Sequence, residues 1–129
     1  ALRGVRVEVL TPANGDHPTV QWAARAHYWQ VLEHGVRIFE RPGPFDHSKL
    51  MLIDGQWCCL GSANWDARSL RLNFEFNVEV YDTALSTRLE SLFDAARDAS
   101  NEISAMALRA RPLAIRLRDG VARLFTPIL

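Results

Sequence analysis

Residues 47–64 read HSKLMLIDGQWCCLGSAN, and their reading decides the fold around them. Residues 47–53 have the pattern of a strand, Asp54-Gly55 is a hairpin turn signal, and residues 57–61 return as the partner strand. On such a strand His47 and Lys49 are two apart, so they project from one face while Ser48 points away. An imidazole beside an ammonium is unfavourable unless an anion sits there, because each cation disfavours the charge of the other. A phosphate resolves that conflict: Lys49 supplies charge, and His47 can attack phosphorus or pass a proton. The return strand ends in Gly61-Ser62-Ala63-Asn64. This turn is expected to present backbone N–H groups, the Ser62 hydroxyl and the Asn64 amide to phosphate oxygens. Folding of the hairpin then brings His47, Lys49, Ser62 and Asn64 together without a metal.

Upstream, residues 4–10 alternate Val5, Val7 and Val9 with polar neighbours and predict a strand. Residues 11–18 are loop chemistry. Pro18 suits the first position of a helix that runs over 19–34 and ends at Gly35. A short strand is expected over 36–39 and a Pro- and Gly-constrained loop over 40–46. Downstream, residues 62–70 read as a turn or short helix and 74–81 as a strand. Asp82 caps a helix over about 83–99 with Leu85, Leu89, Leu92, Phe93 and Ala96 on one face. The order predicts an α/β fold, with helices layered on one mixed sheet.

The 129 residues, 48% of them hydrophobic, suit one modest domain. Fifteen basic residues balance fifteen acidic ones, which counts against a dedicated nucleic-acid binder. The balance is uneven: residues 105–129 carry five arginines and one acid, a net of +4, leaving −4 for the remainder. The adjacent Cys58 and Cys59 read as two reduced, small, buried side chains, although neighbours on a strand point to opposite faces. No apolar run reaches the ~18 residues that span a bilayer. His17, His27 and His34 lack the context of His47 and read as surface or helix residues. Trp22, Trp29 and Trp57 read as core or rim packing.

The spacing His47-x-Lys49-x4-Asp54-x6-Gly61-Ser62-x-Asn64 resembles the HKD signature of the phospholipase D superfamily at every fixed position. Residues 61–82, GSANWDARSLRLNFEFNVEVYD, are similar to the segment that follows the second motif in bacterial cardiolipin synthases, with Arg68, Ser69, Asn73 and Glu75 on the longer pattern. Trp65 and Ala67 stand where Leu and Pro are common there. The resemblance covers most of residues 3–100 and implies a phospholipase D-like half-domain, a mixed sheet flanked by helices, over 1–104. Residues 105–129 form a separate basic amphipathic tail.

That resemblance implies two facing motifs, of which one histidine forms a covalent phosphohistidine and the other serves as acid and base. It implies no cofactor and no metal. His47, Lys49, Asp54, Asn64 and Glu75 are its catalytic candidates, with Asp54 supporting rather than carrying protons. Glu75 is placed to hydrogen-bond the other nitrogen of His47 and fix its tautomer, the favoured reading; the alternative, as a partner of Glu79 on one strand face, is a solvated carboxylate. Gly61, Ser62, Trp65 and Arg68 are candidates for holding substrate. Trp65 suits the wall of a channel, and Arg68 either a lipid headgroup or a salt bridge with Asp66 or Glu75.

With one motif present, the site must be completed by an N-terminal half outside this sequence or by a homodimer mate. The implied reaction is phosphatidyl transfer that makes cardiolipin from phosphatidylglycerol, at the cytoplasmic side of a bacterial inner membrane. The competing reading is a homodimeric nuclease of the same superfamily. The tail over 108–129 interleaves Leu113, Ile115, Leu117, Val121, Leu124 and Phe125 with arginines. It suits either an anionic membrane surface, the favoured reading, or packing on the absent half.

Overall fold

The computed structural model describes residues 1–64 and 69–126. In chain order the elements are β1 (Glu8–Pro12), α1 (Pro18–Leu32), β2 (Arg37–Arg41), β3 (Leu50–Ile53), β4 (Trp57–Gly61), β5 (Asn77–Val80), α2 (Thr83–Asp98), β6 (Asn101–Ile103), α3 (Ala105–Arg109) and α4 (Leu113–Leu124). They belong to two compact units, residues 1–45 with 99–129, and residues 46–98. The α/β class is as expected, but the strands form two three-stranded sheets rather than one.

In the first unit β2 lies between β1, which it meets in parallel from Glu8↔Arg37 to Pro12↔Arg41, and the antiparallel β6. Ile38 and Phe39 are neighbours on β2 and both are buried. Adjacent strand residues face opposite ways, so β2 is covered on both faces. Pro18 opens α1, as its fixed φ favours, and Gly35 at φ +82 terminates it in the left-handed region. The first strand begins at Glu8 rather than residue 4, because a turn closed by Gly4 N–H to the Ala1 carbonyl occupies the opening residues.

The C-terminal stretch folds as two helices, broken ahead of Pro112. Helix α4 packs on α1. Its buried residues are Asp119 and Ala122. Asp119 accepts from Arg111 Nη1 at 2.7 Å and from Arg118 Nη2 at 2.7 Å, and Arg118 stacks over Trp22 at 4.2 Å. Nearby, Arg25 holds the buried Glu40 through two bonds, Nε to Oε1 at 2.7 Å and Nη2 to Oε2 at 2.8 Å. Such two-pronged pairing satisfies charges that burial alone would penalise.

The second unit is a three-stranded antiparallel meander, β3-β4-β5, with α2 against β3 and β4. Asp54 and Gly55 both have positive φ, 50° and 61°, the backbone signature of the turn their sequence predicts. A Cβ on Gly55 would lie 3.1 Å from Glu90 Oε2 of α2, so the turn sits close under that helix. Asp82 caps α2 by accepting from Leu85 N–H at 2.7 Å. Cys58 is a buried and Cys59 a half-buried free thiol. On α2, Leu89, Phe93 and Ala96 are half-buried, while Leu85 and Leu92 remain exposed.

Candidate active site

The ladder of β3 and β4 pairs Leu50↔Leu60 through Ile53↔Trp57. One bond continues it, from Gly61 N–H to the Lys49 carbonyl at 3.3 Å. His47 and Lys49 therefore lie in the segment leading into β3, not on the strand itself as the pattern suggested. The local device that shapes this segment is an Asx turn: Asp46 Oδ1 accepts from Ser48 N–H at 2.8 Å, with His47 between them.

The pair nevertheless converges. Lys49 Nζ donates to His47 Nδ1 at 3.0 Å and to the His47 carbonyl at 2.6 Å. His47 is exposed and Lys49 half-buried. An ammonium has three protons and no lone pair. Two of them are engaged, one remains for an anion, and Nδ1 must be the accepting nitrogen of the ring. The neutral imidazole then carries its proton on Nε2.

Glu75 lies within electrostatic reach of Lys49. Its Oε2 accepts from Ser62 Oγ at 2.5 Å and its Oε1 from Asn73 Nδ2 at 3.3 Å. Asn73 Nδ2 also reaches the buried Ser69 Oγ at 3.3 Å. These donors hold the carboxyl below the usual carboxylate range, the Ser62 hydroxyl foremost; Asn73, Ser69 and the Lys49 charge add to it. Hydrogen bonds to the ionised form always act in this direction. The bonds described for Glu75 run to Ser62, Asn73 and Ser69, and the described partner of His47 Nδ1 is Lys49. The sequence had paired Glu75 with His47.

The turn after β4 differs from its expected role. Ser62 N–H bonds the Phe76 carbonyl at 3.0 Å, and Ala63 N–H bonds Asn77 Oδ1 at 3.3 Å. The Ser62 hydroxyl also accepts from Phe76 N–H at 3.0 Å. Both amides and the hydroxyl are thus spent on the neighbouring chain rather than left for a phosphate. Gly61 is needed for that closeness: a Cβ there would collide with the Phe76 carbonyl and the Asn77 backbone. Asn64 is exposed. Asp54 is set apart from the rest. It stands at the far tip of the hairpin, separated from Lys49 by the length of β3, about 17 Å of extended chain. Its left-handed backbone makes it a turn residue.

Trp65 and Arg68 lie outside the described residues, and so does the Asp66 considered as a partner of Arg68. The structure adds Asp46, Ser69 and Asn73 to the neighbourhood. Ser69 and Asn73 stood on the longer sequence pattern without an assigned task. Asp46 had no signal beyond preceding His47. Among the described residues, the capacity left for a ligand at this end of the hairpin includes the third proton of Lys49, beside the exposed His47 ring.

The family model described as "Cardiolipin synthase, PLD-like domain" matches residues 1–97. The chain is 36% identical over 128 residues to a cardiolipin synthase of Oceanobacillus iheyensis, covering 99% of this chain and 27% of that protein. It is 37% identical over 129 residues to cardiolipin synthase 1 of Staphylococcus epidermidis, and 38% identical over 129 residues to a cardiolipin synthase of a Geobacillus species. Each covers 100% of this chain and 26% of the relative. The chain thus spans about a quarter of the length of the curated relatives it matches.

Proposed function

This chain belongs to the cardiolipin synthase PLD-like domain family within the phospholipase D superfamily, and from that premise we propose that it supplies one half of a phosphatidyltransferase site that makes cardiolipin. The substrate is phosphatidylglycerol, an anionic phospholipid. A second HKD half, contributed by an N-terminal domain or a homodimer mate, completes the site. The enzyme works peripherally at the cytoplasmic face of the inner membrane.

In this reading His47 is the acid and base, and the histidine of the second half is the nucleophile. One observation carries the assignment: the ammonium of Lys49 at 3.0 Å from His47 Nδ1. An oxyanion bound beside them favours the charged ring, and the imidazolium is the form that protonates a leaving alkoxide through Nε2. The partner histidine attacks phosphorus, the P–O bond to glycerol breaks, and the glycerol oxygen takes the Nε2 proton of the His47 imidazolium, leaving a neutral ring. His47 then accepts the proton of a hydroxyl on a second phosphatidylglycerol. That oxygen attacks the phosphohistidine and frees the partner imidazole. Lys49 and Asn64 meet the phosphoryl oxygens, and Glu75 balances the Lys49 charge. Ser62 holds Glu75 instead of touching substrate.

The test uses full-length protein incubated with phosphatidylglycerol and, separately, with single-stranded DNA, beside His47→Ala. Cardiolipin and free glycerol are the expected products, and the variant loses turnover about a thousandfold, as removal of an acid-base group does. DNA cleavage without lipid product would establish the nuclease reading instead.

A further inference from the structure

Helix α4 is amphipathic in an unusual sense: its inward face is the charged one. Asp119 is 1% exposed and takes up Arg111 and Arg118, with Ala122 beside it against α1. The side turned to solvent holds Leu113, Leu117 and Leu124, 66%, 61% and 75% exposed, with Val121 alongside at 57%. Spacings of four and seven keep the three leucines in one row along three turns. Ile115, grouped with them by sequence, is half-buried instead.

Arg116 and Arg123, two turns apart, run along one edge of that row with Gly120 between them. Among the described residues their guanidiniums have no hydrogen-bond or ion-pair partner, and the acids close by are already engaged: Asp119 by Arg111 and Arg118, Glu40 by Arg25, and Glu33 by Arg109 at 3.0 Å. The two cations border a cleft of about 350 Å³ between α1 and α4, whose lining includes Trp29, Glu33 and Gly120. Gly120 contributes no side chain, and the space where one would stand is open.

We propose that this face of α4 is a docking surface for an anionic phospholipid bilayer, separate from the His47 site. The leucine row enters the acyl boundary while Arg116 and Arg123 pair with lipid phosphates beside it, the cleft giving the headgroups room. Two unpaired cations flanking an apolar row select a negatively charged interface over a neutral protein face, and each such arginine adds to attraction for anionic lipid. The inference refines the lipid-facing reading above but rests on the geometry of α4 alone.

The test places an environment-sensitive fluorophore at Leu117→Cys in full-length protein whose other reactive cysteines have been replaced. Vesicles of phosphatidylcholine alone are compared with vesicles containing about one-third phosphatidylglycerol. A blue shift with the anionic vesicles, weakened by salt, is expected. Combining Arg116→Gln with Arg123→Gln should reduce that binding about thirtyfold while leaving turnover of detergent-dispersed phosphatidylglycerol unchanged. An absent shift, or undiminished binding by the double variant, would overturn the proposal. So would a label already shielded before lipid is added, since another part of the polypeptide or a second copy would then cover the row. A failed lipid reaction with an intact blue shift would count against the catalytic reading only.

Discussion

At the α1–α4 contact, buried Asp119 meets two arginines and leaves nothing over; at the open end of the β3–β4 hairpin, Lys49 leans on His47 in view of solvent and keeps a proton to spare. Both places gather charge, yet to different ends. Where polar groups are buried, each must be satisfied within the chain, because an unpaired charge there costs several kcal/mol. Where they stay exposed, partial satisfaction is tolerated, and the remaining capacity is available to a ligand. Incomplete pairing in an accessible, locally braced cluster is therefore the better mark of a site than charge alone.

The comparison breaks first at His47. His47→Ala should cost the full-length enzyme its thousandfold in turnover with little change in the melting temperature, since His47 is exposed. An equal loss of stability would erase the contrast. Asp119→Ala should do the reverse. Two arginines lose their shared carboxylate, and stability falls by about 3 kcal/mol, near the lower end for a broken buried pair because both guanidiniums reach water. Denaturant unfolding measures it.

Gly61→Ala belongs to both sides of the comparison. The added methyl meets the Phe76 carbonyl and the Asn77 backbone, so a loss of about 2 kcal/mol is expected together with a disturbed Ser62–Glu75 contact. The smallest effect is a titration. Glu75 has its carboxyl lowered by the Ser62 hydroxyl, so its bonding stabilises the folded chain above the ordinary carboxylate range and is lost as the pH falls through the lowered value. In Ser62→Ala, carboxyl NMR should find Glu75 titrating closer to the ordinary value, and in Asn73→Ala the same change should be smaller. No change in Ser62→Ala would mean that the hydroxyl does not hold the carboxylate.

Much of the local structure was legible because it rests on residues with few options. Pro18 has one φ that suits a helix start, Asp54-Gly55 tolerates the left-handed turn, and Asp82 offers an acceptor to the first turn of α2. Strand β6 was missed: three residues, Asn101–Ile103, are too few to display a period, and they become a strand only because β2 offers an open edge. The early start given to β3 had the opposite cause. HSKL continues the strand pattern, but beyond Lys49 no described ladder bond meets it, and the Asp46 turn takes over.

The sequence by itself determined which residues assemble at the hairpin's open end, because imidazole, ammonium and turn sit at separations that one antiparallel pair converts into proximity. Only the tertiary structure decided how the groups are used: the Ser62 hydroxyl goes to Glu75, Asp54 stands at the far tip, and α4 turns its leucines outward. Spacing along the chain sets what a single element can bring together. The partner that takes each donor, and the side of a helix that is covered, depend on segments distant in sequence, and no local pattern records them.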